Sequence, residues 1–100
     1  MISVNVKFID GNVDSLTVSG HALYANPGKD IVCAGVSAVV VGGVNALDPY
    51  DSYVKVTVND ESINFKTTKI EKESQIILNT ILVQLETIEK SYKKFIKIFK

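Results

Sequence analysis

Cysteine and histidine each occur once in these 100 residues, proline twice and arginine not at all. A single cysteine excludes an internal disulfide. Joined by only one histidine, it leaves no second ligand pair for a zinc site, and no glycine-rich phosphate loop follows a strand pattern. Neither a metal nor a cofactor is therefore expected. Eleven lysines balance eleven acids, so bulk charge draws the chain to neither nucleic acid nor membrane. Met1 to Phe8 alternate polar and apolar residues instead of forming a signal-peptide core. The uncharged stretch Ile31 to Leu47 falls short of the about 20 apolar residues that span a bilayer. A soluble chain in a reducing, cytoplasmic setting is the expectation.

What is present reads as one domain over residues 1–100, long enough to bury a modest core. Val4, Val6 and Phe8 alternate with polar residues, as do Leu16 and Val18, and Asp10-Gly11-Asn12 between them signals a hairpin turn. Asn26-Pro27-Gly28-Lys29 has loop chemistry. Ile31 to Leu47 is too long for a strand; with Asp30 as N-cap and several Ala, Gly and Ser positions, it predicts a buried helix, ended by Asp48-Pro49-Tyr50-Asp51. Val54, Val56 and Val58 face Ile63 and Phe65 in a second hairpin. A second helix starts near Ile70 and carries the stripe Ile77, Leu78, Ile81, Leu82, Leu85, Ile88, Tyr92. Ile76 and Val83 widen that stripe, either as extra core or as a contact with a second copy. Alternation returns at Phe95 to Phe99, which predicts a last edge strand. The fold class is α+β, an antiparallel or mixed sheet with two helices in the order ββαββαβ. Lys90, Lys93, Lys94, Lys97 and Lys100 read as a solvated helix end and tail, since no aromatic platform for bases accompanies them.

The chemistry converges on His21 and Cys33, twelve positions apart. A neutral imidazole can take a thiol's proton near pH 7, and the pair in hydrogen-bond reach is the minimal unit of nucleophilic acyl transfer. Capped by Asp30, the helix carries Cys33 as its third residue, where the first-turn amides and the helix dipole stabilise an anion. Helix-start cysteines have pKa values lowered from about 8.5 to between roughly 3.5 and 7.5. The same amides could hold an oxyanion. A lone cysteine is, on the other hand, most often a small core residue, so spacing alone leaves both readings open. Asp30 either only caps the helix or also orients His21 as a third triad member. Ser37, one turn after Cys33, either bonds to backbone or tunes the thiolate. Gly20 permits an unusual backbone angle or a close approach beside His21, and Tyr24, Pro27 and Gly28 belong to a loop that packs over a bound peptide or over the core.

The run Gly20-His21-Ala22-Leu23-Tyr24-Ala25, a short loop with Gly28, then Asp30-Ile31-Val32-Cys33-Ala34-Gly35-Val36-Ser37-Ala38 resembles the signature of the Prp family of ribosomal-processing cysteine proteases. The likeness extends to Val44-Asn45-Ala46, the second hairpin and the Ile77 to Leu85 helix. It implies a cysteine endopeptidase that removes the N-terminal extension of large-subunit ribosomal protein twenty-seven, with Cys33 as nucleophile, His21 as general base and Gly20, Asp30 and Ser37 as supporting positions. The implied partners are that substrate and a second copy in a homodimer, with no direct nucleic acid required and no membrane. A competing class is a non-catalytic ribosome-associated module that binds protein or RNA through the same fold and its basic tail.

Overall fold

A computed structural model of the chain describes residues 1–20 and 31–100. The first hairpin pairs β1 (Ile2–Ile9) with β2 (Asn12–Ser19), antiparallel. Asp10 at φ 49° and Gly11 at φ 79° turn the chain between them. Two left-handed residues in succession match the twist of the strands they join, which is why Asp-Gly is so strong a hairpin signal. The pairing shifts after Lys7, so that Asp14 stands unpaired as a bulge between Val13 and Ser15. The predicted helix follows as α1 (Ile31–Leu47) and runs into a single 3-10 turn at Asp48–Tyr50 with proline in it. β3 (Val54–Val58) and β4 (Ser62–Thr67) form the second hairpin; α2 (Lys72–Ser91) and β5 (Ile96–Phe99) complete the order ββαββαβ. The sequence expectation for the fold therefore holds, including the edge strand at the C-terminal end.

The sheet runs β3-β4-β2-β1-β5. Its one parallel pair is β1 with β5, whose Ile96 and Ile98 lie opposite Ile2 and Val4. The sheet is thus mixed. Period-two alternation sends Val4, Val6, Leu16, Val18, Ile63 and Phe65 to one face, where all are buried. Both helices cover that face. On α1 the buried positions are Val32, Cys33, Val36, Val40, Gly43 and Leu47, spaced three to four apart as one helical side. The stretch Ile31–Tyr50 is long and apolar enough to resemble a membrane span, but this buried side is the roof of the core. A Cβ on Gly43 would lie 2.5 Å from Ile81 Cδ1, so α1 seats against α2 at a glycine. Gly35 approaches Ile88 and Gly43 approaches Ile81, the reverse order along α2, which makes the helices antiparallel.

Helix α2 begins at Lys72, two residues after the expected Ile70, because Glu71 is its N-cap. The Glu71 carboxylate accepts from Ser74 N at 2.9 Å and Glu73 N at 3.0 Å. One turn on, Gln75 fills the bulge: Val13 N–H donates to its Oε1 at 2.8 Å and its Nε2 donates to Val13 O at 3.0 Å. Thr67 Oγ1 donates to the same carbonyl at 2.7 Å. A bulge that would strand buried backbone groups is thereby satisfied by a helix side chain. Ile76 and Val83 are more than half exposed, so they add nothing to the core.

Candidate active site

The first strand pair delivers the chain to the site through Gly20. Its φ is 107°, and a Cβ there would lie 2.5 Å from Met1 O and 3.2 Å from Ile2 Cα. Only glycine fits against backbone at that distance. Its N–H reaches Glu61 O at 3.4 Å, so the end of β2 is held between the start of β1 and the tip of the second hairpin. The expectation at Gly20 of an unusual backbone angle or a close approach is met in both respects.

Across the gap, Cys33 occupies the third position of α1 as the spacing predicts. It is 2 % exposed and packed in the core cluster beside Val32 and Val36. Ser37 follows one turn later and is half-buried. The helix start brings the positive end of the dipole to the turn that carries the sulfur. The arrangement combines a core residue and a potential nucleophile in one side chain. His21, Tyr24, Pro27, Gly28 and Asp30 lie outside the described residues. Of the expected site, the structure therefore places Gly20, Cys33 and Ser37. Among the described residues no cluster of His, Cys, Asp and Glu could hold a metal ion. Sequence reasoning missed Met1, Ile2 and Glu61 as the backbone groups that clamp Gly20, since nothing local to the motif points to them.

The chain matches the model of the family described as cysteine protease Prp over residues 1–97. It belongs to that family. The ribosomal processing cysteine protease Prp of Staphylococcus aureus is 38% identical over 103 residues, covering 98% of this chain and 97% of the relative. The Bacillus subtilis Prp is 32% identical over 97 residues, with 89% and 87% covered. Among solved structures, the S. aureus Prp in complex with a covalently linked product peptide superposes with a TM-score of 0.85 at 37% identity, covering 98% of this chain and 97% of that one. The same protease with a substrate peptide gives 0.82 at 35% identity, with 99% and 98% covered. These Prp structures share the mixed sheet and two helices described above. This chain is accordingly a cysteine protease of the Prp family.

Proposed function

We propose that this chain is the endopeptidase that removes the N-terminal extension of large-subunit ribosomal protein twenty-seven, with Cys33 as nucleophile and His21 as general base. The observation that carries the reading is the sole thiol of a Prp family chain seated in the first turn of α1. His21 takes the thiol proton and the thiolate attacks the scissile carbonyl carbon. The α1 first-turn amides hold the resulting oxyanion. Collapse expels the amine, which takes its proton from the imidazolium, and leaves a thioester on Cys33. Water, deprotonated by His21, then releases the acid and restores the thiol. A covalently linked product peptide on a relative 37% identical supports covalent chemistry of this kind.

Gly20 sets the direction in which the chain leaves β2, and so acts as a positioning residue for His21. Asp30 caps α1 and orients the imidazole, Ser37 supports the thiolate, and Tyr24, Pro27 and Gly28 line the path of an extended peptide. The test is intact-mass analysis of the N-terminally extended ribosomal protein after incubation with wild type, Cys33→Ala and His21→Ala. One defined truncation by wild type alone supports both assignments; unchanged mass in all three overturns them.

The whole of residues 1–100 acts as one unit, in a reducing cytoplasm that keeps Cys33 a thiol, and pairs with a second copy. The pairing is supported by the outer side of the helix layer. Ala34, Ala38, Val41 and Ala46 of α1 are exposed, as is Ile76 across a groove of about 450 Å³ between the helices, with no charge along α1. Light scattering should give twice the chain mass for wild type and the single mass for Val41→Glu. Monomeric wild type at about 50 µM, where a micromolar dimer would be populated, overturns the pairing.

A further inference from the structure

The helices cover one face of the sheet; no described element covers the other. Strand pairing brings Lys55, Lys66 and Lys7 into one row across that open face, with Ser15 between the last two. Lys97 of β5 joins from the row of Ser3. The other outward positions on the five strands are serine, threonine or asparagine, save Ile9 and Phe99, and the one acidic side chain reaching this face among the described residues is Asp14 of the bulge. In a chain of zero net charge, this is a segregation of positive charge onto one flat surface. Lys55 and Lys66 stand directly opposite each other, which costs stability. Asp14 at the bulge relieves Lys66 at 2.7 Å. Lys7, Lys55 and Lys97 have no ion pair among the described residues.

We infer that this open sheet face binds the sugar-phosphate backbone of an RNA duplex. Unpaired lysines answer phosphates, and the hydroxyl and amide rows offer hydrogen bonds to phosphate oxygens and 2′-hydroxyls. Three strand spacings put Lys55 and Lys7 about 14 Å apart, a breadth suited to the wide, shallow minor groove of A-form RNA. One aromatic is too few for a stacking platform, which disfavours single strands. Ile9 and Phe99 are the face's apolar side chains, too few and too far apart to seat in a lipid surface. A second copy is disfavoured as well, because two-fold pairing of this face would set lysines against lysines. Cys33 lies under the opposite face, so a docked duplex leaves the thiol side open to a peptide. The inference goes beyond the protease reading and does not require it.

The test is fluorescence anisotropy of a labelled RNA duplex of about 20 bp with the full chain at low and raised salt, alongside a single strand of equal length. Three unpaired lysines predict a log–log salt slope near −2.7, which weakens binding roughly 40-fold between about 50 and about 200 mM salt. Lys7→Gln/Lys55→Gln/Lys97→Gln should lose more than about tenfold in affinity at low salt while cleaving a free substrate peptide as wild type does. Unchanged binding by the triple variant, tighter binding of the single strand, or no anisotropy change at about 100 µM protein each overturns the inference. Because RNA binding and peptide cleavage are read separately, failure of one leaves the other standing.

Discussion

Gly20→Ala is the sharpest probe of how the first hairpin serves the active site. The added Cβ would sit 2.5 Å from Met1 O, 3.2 Å from Ile2 Cα and 3.4 Å from Met1 C. All three are backbone atoms and cannot rotate aside. Ile2 cannot simply retreat either, since its N–H is tied to Phe95 O at 2.8 Å and it pairs with Ile96 in β5. A positive φ in a residue with a side chain costs about 1–3 kcal/mol, and overpacking against fixed neighbours adds about 1–3 kcal/mol. Even the lower end, about 2 kcal/mol, lowers the melting temperature of a chain this size by roughly 8–16 °C. The next residue in the chain is His21, the proposed general base, and misplacing a catalytic group by 1 Å costs on the order of 10²-fold in rate. The variant should therefore melt early and, assayed well below its transition, show a reduced kcat for peptide cleavage. Gly11→Ala is the matched control. Gly11 also has a positive φ, 79°, but nothing lies within 4 Å of its Cβ position, so only the conformational cost applies and cleavage should be unchanged. Equal melting points for Gly20→Ala and wild type, or equal losses in the two variants, would refute the clamp.

Gly42→Ala should stabilise by about 0.5–1 kcal/mol, read as a higher melting temperature, since its Cβ meets nothing within 4 Å in the interior of α1. Gln75→Leu removes both the acceptor of Val13 N–H and a donor to Val13 O in a buried site and should cost about 1–3 kcal/mol in urea unfolding. Glu71→Ala strips the cap of α2 and should cost about 0.5–2 kcal/mol by the same measurement. Phe65→Ala, at the centre of the sheet's covered face with no exposed surface, should cost about 3–5 kcal/mol.

Local signals marked the elements well, and nonlocal ones decided what they touch. Asp10-Gly11 announced its hairpin because both residues must adopt left-handed angles, and few others do so cheaply. Ile31 to Leu47 was readable as a helix despite Val39-Val40-Val41, since an uncharged run of that length between two aspartates exceeds any ordinary strand. The Ile96–Phe99 alternation was visible too, but its parallel pairing with β1 was not, because partner choice is made by the core face of the whole sheet. The start of α2 was set by Glu71, an uncommon cap residue that propensity passes over. Ile76 and Val83 could be core or surface by periodicity alone, and the structure leaves both outside. At the site, counting from Asp30 put Cys33 in the first turn, whereas the clamp of Gly20 against Met1 joins residues that no motif connects. The lysine face is less legible still: positions 7, 55, 66 and 97 share a surface only through strand register.

The proposed mechanism gives Cys33 two roles that make opposite demands. As a core residue at 2 % exposure it belongs among Val32, Val36 and their neighbours; as a nucleophile it must meet a peptide carbonyl. Its place in the first turn of α1 is where the two demands meet, because the positive end of the helix dipole lies there. A thiol kept from bulk water also has little opportunity to attack adventitious peptides. The double role decides which variant isolates the chemistry. Alanine removes the sulfur and keeps the site apolar, so Cys33→Ala should abolish cleavage for a stability loss no larger than that of one deleted buried group, about 1 kcal/mol. Serine keeps the size but sets a hydroxyl among valines, adding an unsatisfied polar group worth about 1–3 kcal/mol if it finds no bond there. If Cys33→Ala folded like wild type and still cleaved, the thiol would be core alone.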